Sequence, residues 1–457
     1  RDEDCLQSRI TNQNIMNEMA SQIIELNYRK TGSKTVSLLL DGGTVFHTKW
    51  LAVGALLRND FGISFNVLDV IVFNKATASA IREDVSRIAR NVEKTGGDVV
   101  SACTDNAANF KKVFIETDDG EDFIPLNILH VHCACHTVQL VIKDLNDEDK
   151  YFRELVKIMK IIPSRISFLK KQQINELGIG FYPPVQSQRW NSVYLTLNYI
   201  VNHLEGICKV FEPDEMDYLK MFDLLTLMDD LKPIYTFTTR CEKDTATQAD
   251  VYIAYRVLKA ELAVLQTARS QRLLQLIKLR FNSTADIKLA KLCFFTTNFG
   301  IKEKMKNYPH STSLFIRDSQ NPLNTIINNE TQFISSFNST IEMVCDKLLI
   351  DVDVIKDSFM LMMNFYSPSD DSLFSYPKKK DLCDIFQKHG HGSNDYIVLC
   401  EFIKILQTLP ASEAGVERIF ARMGDLHGFL QTRMSPQTLK SNLILSLSIL
   451  PEVLWVC

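Results

Sequence analysis

The sequence predicts an α/β core interrupted by a large all-α insertion, and three observations carry that reading. Residues 31–136 alternate short apolar runs with amphipathic stretches, the pattern of a sheet flanked by helices. Over 137–394 the apolar residues recur at three- and four-residue spacing, as at Met221, Leu224, Leu225, Met228 and Leu231, with no strand-rich block. Over 395–457 two further amphipathic segments supply a second part of the core.

Residues 1–30 read as a polar helix with a thin apolar stripe (Ile15, Met19, Ile23, Ile24, Leu26), a connector from a segment preceding Arg1. Val36-Ser-Leu-Leu-Leu-Asp41 is a nearly continuous apolar run ending on an acid, the pattern of a buried strand, and Gly42-Gly43 predicts a turn after it. Strands are expected over Trp50 to Leu57 and Ile63 to Phe73, then a helix from about Thr77 to Lys94 closed by Gly96-Gly97. Val99 to Thr104 is the next strand, followed at once by Asp105. Asn106 to Val113 reads as a helix, Asp118 to Asp122 as an acidic loop and Ile128 to Cys133 as a fifth strand.

Three strands, a helix, a strand, a helix and a strand make the order of a ribonuclease H-like core. In such a sheet Asp41 and Asp105 would stand at the carboxyl ends of adjacent strands, where metal-dependent phosphoryl chemistry is built. The plainer reading is that each acid merely starts a turn.

Leu409 to Met423 is the most informative stretch of the second part. Pro410 ends the preceding apolar segment and Ser412 is placed to cap a new helix. Val416, Ile419, Phe420 and Met423 form a stripe at helical spacing, with Glu413 and Glu417 together on its border and Arg418 pointing away. A carboxylate beside a buried stripe is either a solvated edge residue or a group aimed into a site.

At 457 residues, 46% hydrophobic and 23% charged, the chain has the composition of an ordinary globular protein of two or three domains. The absence of a long uncharged apolar run excludes a membrane-spanning helix, and the polar N-terminus is not a signal peptide. Eleven cysteines at irregular spacing do not form a secreted disulfide framework, which favours reduced thiols in cytoplasm or nucleus. With a net charge of −4, nucleic-acid binding would have to rest on local charge. Arg256 to Lys306 supplies it, with eleven basic residues, Lys278, Arg280, Lys288 and Lys291 among them, against three acidic ones. That segment is either a solvated helix face or a phosphate-tracking surface. Lys378-Lys-Lys380 is a short basic run compatible with a weak nuclear signal.

The motifs taken together resemble those of the hAT superfamily of DNA transposases. Asp41-Gly-Gly-Thr44 resembles its Asp-Gly-Trp-Thr/Ser element, with Gly43 in place of the aromatic, and Thr104-Asp-Asn-Ala-Ala-Asn109 its Thr-Asp-Asn-Ala-x-Asn element. Cys133-x-x-His136-Thr-Val-Gln-Leu140, Gln188-Arg189-Trp190-Asn191-Ser192 and Ser412 through Glu417-Arg418 to Phe420 follow in family order. The resemblance implies a DDE-type enzyme in which Asp41, Asp105 and Glu417 hold two Mg²⁺ (or Mn²⁺) ions for DNA strand cleavage and strand transfer. It implies double-stranded DNA as partner (element ends and target), at least a dimer, a nuclear location and a zinc finger ahead of Arg1. Trp190, with Arg189 and Asn191, is either a core residue or a face for a flipped base. The cluster His130 to His136 is open to three readings: structural, DNA-adjacent or zinc-binding. The second functional reading is a domesticated descendant that binds DNA or assembles with proteins without cutting.

Overall fold

The computed structural model describes residues 2–45, 47–59, 62–73, 77–114, 127–161, 168–178, 185, 191–210, 223–282, 286–296, 330–365, 394–430 and 435–449. In chain order the elements are α1 (Asp2–Arg29), β1 (Thr35–Val45), β2 (Thr48–Asn59), β3 (Gly62–Phe73), α2 (Ala78–Lys94), β4 (Asp98–Thr104), α3 (Ala108–Phe114) and β5 (Leu129–His132). Helices follow: α4 (Ala134–Glu148), α5 (Lys150–Ile161), α6 (Phe168–Glu176), α7 (Asn191–Asn202), α8 (Leu204–Val210), α9 (Leu224–Cys241), α10 (Gln248–Leu265), α11 (Ala268–Asn282) and α12 (Asp286–Thr296). The last are α13 (Glu330–Leu348), α14 (Val352–Phe365), α15 (Asn394–Thr408), α16 (Ala414–Leu430) and α17 (Pro436–Ile449).

These elements form two compact units. The first comprises residues 1–133, 242–251 and 288–457; the second comprises 134–241 and 252–287. The second unit is therefore narrower than the expected insertion over 137–394, because the chain beyond Ile287 groups with the sheet.

The first unit is mixed α/β around one five-stranded sheet in the order β3-β2-β1-β4-β5. β1, β2 and β3 are a meander of antiparallel strands, whereas β4 and β5 join parallel to β1. Alternation along β1 explains how both faces are filled. Val36, Leu38 and Leu40 face one apolar cluster with Ile81, Val85, Ile88 and Val92 of α2. Leu39 faces the opposite cluster with Trp50, Ala52, Val416, Ile419, Met423 and Leu443, which puts α16 and α17 on that face. The start of α2 is capped as its sequence indicates, the Thr77 hydroxyl accepting from the Ala80 N–H.

One expected turn is absent. Gly42 and Gly43 stay in β1, paired with Leu51 and Trp50 of β2, and the chain reverses only around His47, which has φ 63°. The hairpin ladder runs on through both glycines to Val45, so the strand continues past them. What the glycines provide instead is close approach, described below. The acidic loop at Asp118 to Asp122 lies outside the described residues.

The second unit is helical. α4 packs against α9 and α11, and α7 packs against α9. Phe237 and Phe281 meet edge to face in its core, 5.8 Å between ring centroids. Asp230, fully buried, is answered by Arg269 at 3.2 Å and by the Thr267 hydroxyl at 2.6 Å. None of the described cysteines forms a disulfide, and no described helix is long and apolar enough to cross a membrane.

Candidate active site

The parallel register of β1 and β4 ends by pairing Leu40 with Thr104. Asp41 and Asp105 are the residues that follow this last pair on the two strands. Asp41 has the parity of Leu39, so it lies on the sheet face covered by α16. β1 continues past Asp41 to Val45, so Asp41 is within the strand and not at its end. Asp105 leaves β4, and its Oδ1 accepts the Ala107 N–H at 2.9 Å, opening the turn into α3. It thus serves the turn while standing beside Asp41.

α16 is brought to this face by its own entry segment. Thr247 and Pro410 form an isolated antiparallel bridge. The Gln248 N–H donates to the Leu409 carbonyl at 2.8 Å, the Gln248 side chain to the Pro410 carbonyl at 2.8 Å and the Ala411 N–H to the Ala246 carbonyl at 3.0 Å. Residues 246–248 thereby strap the chain immediately ahead of the helix. Helix α16 begins one residue later than a Ser412 cap would place it: the Glu413 carbonyl accepts from Val416 at 2.8 Å and Glu417 at 3.2 Å. Ser412 Oγ instead accepts from Ala414 at 3.4 Å.

The helix seats against glycines. A Cβ on Gly43 would lie 3.0 Å from the Phe420 ring, and one on Gly54 would lie 2.9 Å from Val416 Cγ1. The ring of Phe65 fills the slot between Gly54 and Gly415, 2.5 and 2.8 Å from the corresponding positions. Arg418, as its helical position indicates, points elsewhere; it donates to the Glu242 carbonyl at 3.3 Å and pairs with Asp244.

The result is a group of carboxyls of one sign. Asp41, Asp105 and Glu417 are half-buried, while Glu413 is only 1% exposed and its Oε2 has no hydrogen-bond partner. Burial above all, and then the nearby Cys133, Asp41, Glu417 and Asp105 side chains, hold the Glu413 carboxyl well above the usual carboxylate range. An all-oxygen set of acids around an orphaned buried carboxyl fits a hard divalent cation such as Mg²⁺ or Mn²⁺. Among the described residues no three His, Cys, Asp or Glu side chains already stand at metal-holding spacing, so a bound ion would have to draw its ligands together.

Glu413 is the residue that sequence periodicity undervalued. Helical spacing put it level with Glu417, but it sits at the helix start, buried, where periodicity has no hold. The available signal was the strap-forming Pro410 just ahead of it.

The remaining candidates are distributed as follows. Cys133 is buried, and its N–H donates to the Thr104 carbonyl at 2.8 Å; His136 lies in the first turn of α4, in the second unit. His130 Nε2 is 2.9 Å from Thr104 Oγ1, and its ring stacks on Phe114 with centroids 4.6 Å apart. Burial, with smaller effects from His132 and Lys111, pushes its pKa down to about 3. Arg189 and Trp190 lie outside the described residues, while Asn191 opens α7. In the basic segment Lys278 and Lys288 are exposed and Lys291 is half-buried. Arg280 forks onto Asp144 at 2.7 and 2.8 Å, Arg272 binds Glu148 at 2.7 Å, and Arg269 binds Asp149 and Asp230. The acids that neutralise these arginines come from distant positions, which a count along one segment does not see. Compared with known proteins, the chain matches no protein-family model and no curated protein.

Proposed function

We propose that the first unit is the catalytic core of a metal-dependent phosphoryl-transfer enzyme acting on DNA. More narrowly, it is read as a ribonuclease H-like core of the hAT transposase type. The observation that carries the reading is that Asp41 and Asp105 follow the last β1–β4 pair, on the sheet covered by the helix α16 that bears Glu417 and the buried, unpartnered Glu413. The strand order and the change from antiparallel to parallel pairing at β1 are those expected of a ribonuclease H-like sheet. The motif resemblance supplies the substrate class.

In this reading Asp41, Asp105 and Glu417 hold Mg²⁺ or Mn²⁺. Such ions, when bound, activate a water or 3′-hydroxyl nucleophile and stabilise the leaving oxygen. The chain's own part is positional. β1 and β4 fix two carboxylates side by side, and the strap at 246–248 fixes the helix that brings the third. Lys278 and Lys288 are candidate phosphate contacts, and Arg189, Trp190 and Asn191 are candidate DNA contacts by resemblance alone. Double-stranded DNA, a second copy of the chain and a nuclear location belong to the same proposal.

The experiment is a strand-nicking assay on element-end DNA with Mg²⁺ or Mn²⁺, using the wild type and Asp105→Asn. Asparagine still accepts the Ala107 N–H, so the fold and DNA binding persist while cleavage is lost. Retained cleavage by Asp105→Asn overturns the assignment. The second reading is a non-cutting descendant that keeps the fold. It predicts DNA binding without cleavage by either protein.

A further inference from the structure

The motif resemblance assigns only Glu417 from α16, yet Glu413 is the more deeply buried carboxyl of the pair. Its surroundings leave few ways to satisfy it. The main chain on its N-terminal side is fixed by the bonds of Gln248 to Leu409 and Pro410 and of Ala411 to Ala246. The main chain on its C-terminal side is the first turn of α16, so the backbone that carries the residue is held on both sides. Its Oε2 meets no donor. The groups whose proximity weighs most on it are Cys133 after β5, Asp41 on β1, Glu417 on its own helix and Asp105 after β4. A buried carboxyl oxygen without a donor is costly in any fold. The helix start on which it sits favours a negative charge only modestly.

We propose that Glu413 is a cation ligand in its own right, a fourth carboxylate beside Asp41, Asp105 and Glu417, and that the site takes up two divalent cations before any nucleic acid is bound. The inference rests on the metal-dependent reading above and deepens it. Three carboxylates leave two divalent cations under-neutralised and dependent on a DNA phosphate for the remaining charge. Four carboxylates balance two such ions charge for charge within a poorly solvated site, where imbalance is most expensive. Glu413 is the ligand that makes the difference.

The test counts Mn²⁺ bound to the DNA-free full chain, by electron paramagnetic resonance of the free ion, for wild type, Glu413→Gln, Glu417→Gln and Asp41→Asn. Circular dichroism checks the fold of each. Wild type is expected to bind two ions, and Glu413→Gln to lose one of them or to weaken it at least tenfold. Wild-type-like binding by a folded Glu413→Gln overturns the inference, while loss of binding in Asp41→Asn leaves the metal-dependent reading standing. A single ion on wild type also overturns the inference, without reference to any variant that fails to fold. No ion on wild type overturns both.

Discussion

The ring of Phe420 lies over the backbone of Gly43, with Cε1 3.0 Å from the place a Cβ would occupy. This contact seats α16 two residues beyond Asp41 on the same face of β1, so it sets the height of the helix above the acid. Gly43→Ala is expected to destabilise the first unit by about 1–3 kcal/mol, the usual cost of overpacking. Adding Phe420→Ala should return part of that loss, since the two changes share one contact. Urea unfolding of the single and double variants measures both; strictly additive losses would show that the ring and the glycine are not coupled.

Lys278 and Arg280 sit two residues apart on α11 and should behave differently. Lys278 is exposed, and Lys278→Glu should weaken DNA binding and reduce its salt dependence by about one log-log unit if it meets a phosphate. Arg280 is held by Asp144. Its replacement by Met should cost the fold about 0.5–1 kcal/mol, as part-exposed ion pairs do, with little change in the salt slope. Binding titrations over a range of salt, paired with thermal melts, separate the two effects.

His130 makes the first unit acid-sensitive. Its pKa is about 3 in the fold and ~6.5 in an unfolded chain. Between these values the unfolded chain binds the proton and the folded one does not, so stability falls as pH drops through that window and is unaffected above about pH 7. At ~1.4 kcal/mol per pH unit the loss reaches at most about 3 kcal/mol near pH 4. His130→Gln, which can still reach Thr104, should flatten this dependence. Denaturant melts from about pH 7 to pH 4 compare the slopes, and an unchanged slope would show that His130 is not the group responsible.

Much of the sheet was legible because its signals are local. Apolar runs located all five strands, and Thr77 marked the start of α2. The ends of the paired stretches of β1 and β4 were legible as two apolar runs each followed by an acid, although β1 was expected to stop at Asp41. What remained hidden depends on partners far away in sequence. Gly42-Gly43 reads as a turn in isolation and becomes a strand once β2 is beside it. Gly54 and Gly415 carry no local signal for the Phe65 ring between them. Arg280 looks like free positive charge until Asp144 is placed opposite. Glu413 could be read either as an edge residue or as a group aimed into a site, because helical periodicity describes the inside of a helix and not the residue ahead of its first turn.

The way α16 and α17 close over the sheet has a consequence for how the protein is made. β1 through β5 emerge from the ribosome long before the helices that cover one of their faces. At ~5–20 residues per second, the chain between His132 and Ala414 takes on the order of half a minute to synthesise. During that interval Leu39, Trp50 and Val70 lack the apolar cover that Val416, Ile419 and Leu443 later provide. The hydrogen bond of Ser441 to Asn17, 2.7 Å long, likewise waits for nearly the whole chain. Asp41 and Asp105 therefore stand without Glu413 and Glu417 throughout most of synthesis, and an unfinished chain presents a sticky sheet but no assembled acid cluster. Nascent chains stalled before Ala414 should accordingly depend on chaperones and be inert, whatever the finished protein does.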